Sequence, residues 1–131
     1  MTDRIIVRAG LARCGQIEAE LEELQDTRAR LSAIGPDFYE QYQTKIDALS
    51  ETSRCIIERI DCLHYMQRQA IKLHFIHGYS WEAVAQTMYF SNSRVRTIAT
   101  EGLDALIEPL KANDAAWRFC LDSVKQNVSH Q

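Results

Sequence analysis

An all-α fold is predicted by three observations. Apolar residues recur at helical steps from Ile17 to Leu63, two serines open periodic segments near Ser80 and Ser91, and only two prolines and five glycines interrupt 131 residues. With 46% of its residues hydrophobic, the chain has material for one modest core shared between subregions. No apolar run approaches the roughly 18 residues a bilayer crossing needs, and the Ile5-Ile6-Val7 cluster is too short for the core of a signal peptide. A soluble, cytoplasmic protein with no membrane partner is expected.

Residues 1–62 read as a long helical hairpin of coiled-coil-like type. Ile17, Leu21, Leu24 and Leu31 recur at alternating steps of four and three, with Arg28 in one seam position. Tyr42, Ile46, Leu49, Ser53, Ile56, Ile60 and Leu63 continue the rhythm on a second segment. Between them, Gly35 suits the end of one helix and Pro36 the start of the next. A heptad seam is narrower than the apolar face of a core helix, which leaves a stripe for another chain. Helix pairs this thin bury little apolar area alone, so a homodimer through the N-terminal helices is expected. Gly10 and Gly15 each weaken a helix by about 1 kcal/mol relative to alanine. The segment before Gln16 is therefore expected to be frayed or separately folded.

The stretch from Gly78 to Ile98 has the form of a helix-turn-helix. Ser80 and Ser91 stand where a side-chain oxygen can accept from an orphan helix N–H. Ala85 permits a close crossing, and Val84, Met88, Val95 and Ile98 supply the apolar contact between the two helices. Beyond Ser91, the expected exposed residues are Asn92, Ser93, Arg94, Arg96 and Thr97, side-chain types that read base edges or hold phosphates. Double-stranded DNA is the ligand this pattern implies. The same spacing also occurs in small bundles that never meet nucleic acid, which leaves a protein–protein adaptor as the alternative.

The segment from Leu63 to Leu106 carries a wider likeness, with Arg68, Ile71, Leu73, Phe75, Gly78, Ser80, Glu82, Ala85, Ser91, Arg94, Val95, Arg96, Ile98 and Leu103 in register. It resembles the promoter-binding C-terminal region of bacterial sigma factors. It resembles still more the small phage regulators of the ArpU and RinA type, which carry that module behind an N-terminal helical segment. The resemblance implies a DNA-binding domain over residues 63–112 in a transcriptional regulator of phage or prophage type, with a bend near Cys62 to Tyr65. It implies base-edge contacts from Asn92, Ser93 and Thr97, with Arg94 and Arg96 on phosphates or groove edges. Lys72, Ser80 and Ser91 would assist on the backbone, and RNA polymerase is a further implied partner. Two departures stand out. Sigma factors usually have glycine where this chain has Tyr89, so the turn either differs or holds a strained residue at a cost of about 1 kcal/mol. They also tend to carry charge where Asn92 and Ser93 stand, so a sigma-type promoter element does not transfer as the target.

Charge bears on the same reading. The chain is formally −3, with 12 acids and 8 bases from Met1 to Leu63. From His64 to Ala112, Arg68, Lys72, Arg94, Arg96 and Lys111 face Glu82, Glu101, Asp104 and Glu108. So few cations predict weak binding by one copy, strengthened by a dimer, a tandem site or polymerase. Arg94 and Arg96 near a helix N-terminus oppose the macrodipole, a conflict that a bound phosphate relieves.

The remaining features are structural. Pro109 is expected to stop or kink the recognition helix. Asn113 or Asp114 then caps a last helix within residues 113–131, with Trp117, Cys120, Leu121 and Val124 on one face. Cys14, Cys55, Cys62 and Cys120 show no C-x-x-C pairing and read as reduced packing thiols. Neither Cys62 with His64 nor His74 with His77 repeats at zinc-finger spacing, so no metal or other cofactor is expected. No phosphate loop or nucleophile elbow is present, and no enzymatic activity is expected.

Overall fold

The computed structural model describes residues 2–129, with side chains through Gln126. Among the described residues seven α-helices follow in order: α1 (Asp3–Gly15), α2 (Ile17–Ser32), α3 (Pro36–Asp61), α4 (Tyr65–Ile71), α5 (Trp81–Met88), α6 (Asn92–Lys111) and α7 (Asp114–Ser129). A π-helical turn (Lys72–Ile76) extends α4, and no strand occurs among the described residues. None of these helices is long and apolar enough to cross a membrane.

Helices α2 and α3 pair as an antiparallel hairpin. The Leu31 carbonyl accepts from the N–H groups of Ile34 (3.0 Å) and Gly35 (3.3 Å), which ends α2. Gly35 itself is extended, at φ −176°, and serves as the N-cap of α3 with Pro36 behind it. It therefore opens the second helix while its N–H helps to close the first. Further in, Arg28 donates to Gln43 and lies 4.9 Å over the Tyr39 ring, which sets the register of the pair. The periodic stripe on α3 is buried at Ile46, Ser53, Ile56 and Ile60, whereas α2 buries no residue at all. Apolar side chains left in solvent gather at the hairpin tip instead: Ile34, Phe38 and Tyr39.

Helix α1 corrects the expectation of a frayed first segment. Thr2 caps it by accepting from the Ile5 N–H at 3.4 Å. Ile6, Val7, Leu11 and Cys14 join a core cluster with Ile56 and Ile60 of α3, Ile71 of α4, Leu103, Leu106 and Leu110 of α6, and Phe119 and Cys120 of α7. Side chains as fully buried as Val7 and Leu11 each contribute about 1.5–3 kcal/mol, which outweighs the helix-propensity cost of the two glycines. Those glycines are what permit the packing. A Cβ on Gly10 would strike the Cys120 side chain, and one on Gly15 would lie 2.9 Å from the Ile76 carbonyl oxygen and closer still to that of Phe75. Exposed ion pairs set the register along α6: Arg4 is bidentate on Asp104, both contacts at 2.9 Å, and Lys111 meets Asp3 at 2.7 Å. Arg13, largely covered, ties α1 to α2 through Glu20 (2.6 Å) and to α7 by lying 4.2 Å over the Phe119 ring.

At the other end, α6 runs two residues past Pro109 to Lys111. The proline removes one backbone donor in the last turn, where the Ala112 N–H still reaches Glu108 O at 3.0 Å, so it does not stop the helix. Asn113 caps α7, its side-chain oxygen accepting from the Ala116 N–H at 3.1 Å. The buried face of α7 comprises Ala116, Phe119, Cys120, Ser123 and Val124, with Trp117 half-buried. Leu121, expected on that face, is exposed because the helical stripe passes through 116, 120 and 123.

The packing role expected of all four cysteines holds fully for two. Cys14 and Cys120 are buried, Cys55 is half-exposed and Cys62 is exposed just beyond α3. Burial pushes the Cys14 thiol up to about 11 and the Cys120 thiol up to about 12, which suppresses the reactive thiolate. In the native protein at pH 8, iodoacetamide should modify Cys62 rapidly, while Cys14 and Cys120 react only at the rate of unfolding, as peptide mass analysis would read. A second expectation concerns Gly15→Ala. Helix propensity alone predicts a gain of about 1 kcal/mol, but the carbonyl clash should give a net loss of about 1–3 kcal/mol in urea unfolding.

Candidate nucleic-acid interface

The helix-turn-helix is set off from the hairpin by a break after Asp61, at the place the sigma resemblance implied. The Cys62 and Leu63 N–H groups turn back to Arg59 O (3.2 Å) and Ile60 O (3.0 Å), and His64 is extended at ψ 145° before α4 begins. Two cations hold this corner: Arg68 donates to the Asp61 carbonyl at 3.2 Å, and Lys72 forms an ion pair with the Asp61 carboxylate. Lys72, one of the expected backbone contacts, is thus half-buried and committed inside the fold. After α4 the chain widens into the π turn, where the His77 N–H reaches Lys72 O at 2.9 Å. Gly78 then takes φ +76°, the left-handed value that glycine accepts without strain, and the Tyr79 N–H closes on Leu73 O at 2.9 Å.

Both serines cap as expected. Ser80 accepts from the Ala83 N–H and Ser91 from the Arg94 N–H, each at 3.1 Å. Between the two helices, Val84, Ala85, Val95, Ile98 and Ala99 are buried, with Met88 and Phe90 packed around them. The turn keeps the left-handed residue that sigma factors give to glycine: Tyr89 stands at φ 61° and ψ 39°. Its side chain is 93% exposed, so packing does not compensate the strain.

Asn92, Ser93, Arg94, Arg96 and Thr97 all lie in solvent at the start of α6. The Thr97 hydroxyl donates to Ser93 O at 3.0 Å, leaving its oxygen lone pairs outward as acceptors. Arg94 lies 5.6 Å from the centre of the Phe90 ring and Arg96 5.7 Å from that of Trp81. Trp81 stacks in turn on His74 at 3.7 Å and 16°, and His74 Nδ1 sits 2.7 Å from Tyr79 O. Among the described residues neither arginine has a carboxylate partner, whereas Arg4, Lys72 and Lys111 are each paired. An aromatic face steadies a guanidinium without neutralising it or occupying its N–H donors. Both arginines are thus positioned and still free to bind an anion.

Sequence reasoning missed Phe90, Trp81 and His74. Their aromatic character was visible, but which cation each would support depends on how α5 crosses α6 and how the π turn places His74.

Residues 59–107 match the family model of sigma-70, region 4. The match begins near the end of α3, includes α4, the π turn and α5, and ends within the second half of α6. No curated protein and no solved structure gives a match. This part of the chain is therefore similar to a class of DNA-binding helix-turn-helix domains, while α1, α2, most of α3 and α7 lie outside the likeness.

Because Tyr89 has strain and little packing, Tyr89→Gly should raise stability by about 1 kcal/mol. Urea unfolding of the two proteins measures the difference, and a destabilised variant would show that the tyrosine ring contributes contacts of its own.

Proposed function

We propose that this protein is a sequence-specific DNA-binding transcriptional regulator of phage or prophage type, with α6 as the recognition helix. The observation that carries the reading is the pair Arg94 and Arg96, exposed, unpaired with carboxylates and held over Phe90 and Trp81 at the outward end of a sigma-like helix-turn-helix. In this reading α6 enters the major groove from its N-terminal end. Asn92, Ser93 and Thr97 offer donors and acceptors to base edges, and the two guanidinium groups reach phosphates or guanine edges. Ser80 and Ser91 lie at helix N-termini whose partial positive charge favours adjacent phosphates. Lys72 contributes to the fold through Asp61 and leaves the backbone contact to its neighbours. No catalytic step is part of the proposal.

The net charge of −3 is compatible with this role because of where it resides. Residues 17–61, the hairpin, hold eleven carboxylates against five lysines and arginines, while the rest of the chain holds seven against ten. The hairpin is thus suited to extend away from DNA. Its acidic surface and exposed Ile34, Phe38 and Tyr39 favour a protein contact, either a second copy forming a homodimer or RNA polymerase. The adaptor alternative keeps that contact and discards the DNA.

Selection from a pool of random duplexes at low and moderate salt separates the two readings. For the regulator, a preferred sequence emerges, and Arg94→Ala with Arg96→Ala weakens binding. The double substitution should also reduce the slope of log affinity against log salt by about 1.8, two phosphates at about 0.9 each, with the melting temperature nearly unchanged. A double variant indistinguishable from wild type on every duplex would leave only the adaptor.

A further inference from the structure

We infer that the DNA-contacting surface continues from the recognition helix onto α1, where Arg8 provides a backbone-phosphate contact lying outside the sigma-like segment. The inference rests on the DNA-binding reading above and extends it to a part of the chain beyond residues 59–107. Two adjoining grooves carry it. The first, of about 350 Å³, brings Arg8 together with Arg96, Trp81, His74 and Thr100. The second, of about 620 Å³, continues from Arg8 and His74 past His77 along α1. Among the described residues no carboxylate lines either groove, in a chain where acids outnumber lysines and arginines by 18 to 15.

Geometry makes Arg8 a fixed extension of the α6 surface. Lys111 meets Asp3, Arg4 meets Asp104, and Arg8 shares its groove with Arg96 and Thr100, so α1 runs antiparallel to α6 and advances toward the recognition end. Arg4 and Arg8 are one helical turn apart, but they differ in state. Arg4 is neutralised by Asp104, whereas Arg8 is exposed and has no hydrogen bond or ion pair among the described residues. The Gly10 and Gly15 contacts and the burial of Val7 and Leu11 hold α1 rigidly in place. An unneutralised guanidinium on a rigid support, in a carboxylate-free groove shared with Arg96, has the chemistry of a phosphate site. Trp81 at the N-terminus of α5 lies between the two arginines' shared groove and the helix-turn-helix core. Phosphates flanking the major groove are accordingly the occupant the arrangement favours.

The test uses the full chain and a duplex recovered by selection, titrated over a series of salt concentrations. Arg8→Ala is expected to reduce the salt slope by about 0.9, to leave base preference and melting temperature unchanged, and to be rescued by Arg8→Lys. Replacing single phosphates with neutral methylphosphonates should then reveal one position whose neutralisation weakens wild type but adds no loss to Arg8→Ala. A slope unchanged by Arg8→Ala, with Arg94→Ala and Arg96→Ala still lowering it, overturns this inference alone. Under that outcome, Arg8-dependent binding of polyglutamate would assign the groove to an acidic protein segment. Failure of the wild-type chain to bind any duplex removes the DNA reading itself, and this inference with it.

Discussion

The continuity of α6 is the constraint on which the rest of the structure depends. Its 20 residues span about 30 Å and serve two masters. Val95, Ile98 and Ala99 pack into the helix-turn-helix, whereas Leu103, Leu106 and Leu110 anchor the larger core with α1, α3 and α7. A rigid rod anchored at one end and exposed at the other presents its side chains at a fixed angle. For the DNA-binding role proposed above that fixed angle matters, because base-edge hydrogen bonds tolerate little misplacement.

The close packing around this rod explains several residues that look unfavourable in isolation. Gly10, Gly15 and Gly102 lie within helices, where glycine is poorly suited. Each occurs where a neighbour comes too near for a Cβ; at Gly102 an added Cβ would stand 2.5 Å from the Ile71 methyl carbon. The Gly15 contact has a further origin. The π turn widens the end of α4 and places the Phe75 and Ile76 carbonyls against α1. Local backbone irregularity in the sigma-like segment is thereby accommodated by a sequence feature some sixty residues earlier.

Electrostatics divides the molecule along the same lines. The hairpin is strongly acidic and the remainder is mildly basic. Within the remainder, three cations are spent on internal partners: Lys72 on Asp61, Lys111 on Asp3 and Arg4 on Asp104. Among the described residues, Arg94 and Arg96 near the start of α6 and Arg8 on α1 have no carboxylate partner, and Arg8 shares a groove with Arg96. Few charges can therefore serve an anionic ligand effectively, because they are not distributed over the whole surface.

Local rules made much of this protein legible in its amino-acid order. Helical periodicity placed the hairpin stripe at Ile46, Ser53, Ile56 and Ile60, and serine caps located the starts of α5 and α6. Those signals act within a turn or two of chain, so they survive without knowledge of partners. The exposed positions after Ser91 followed from the same periodicity. What only the folded chain decided involves contacts between distant segments. Nothing local reveals that Gly10 and Gly15 mark helix crossings, that Lys72 is claimed by Asp61, that Trp81 supports Arg96, or that α1 delivers Arg8 beside Arg96. Each depends on which faces meet after the chain has crossed itself, and propensity and spacing carry no record of that.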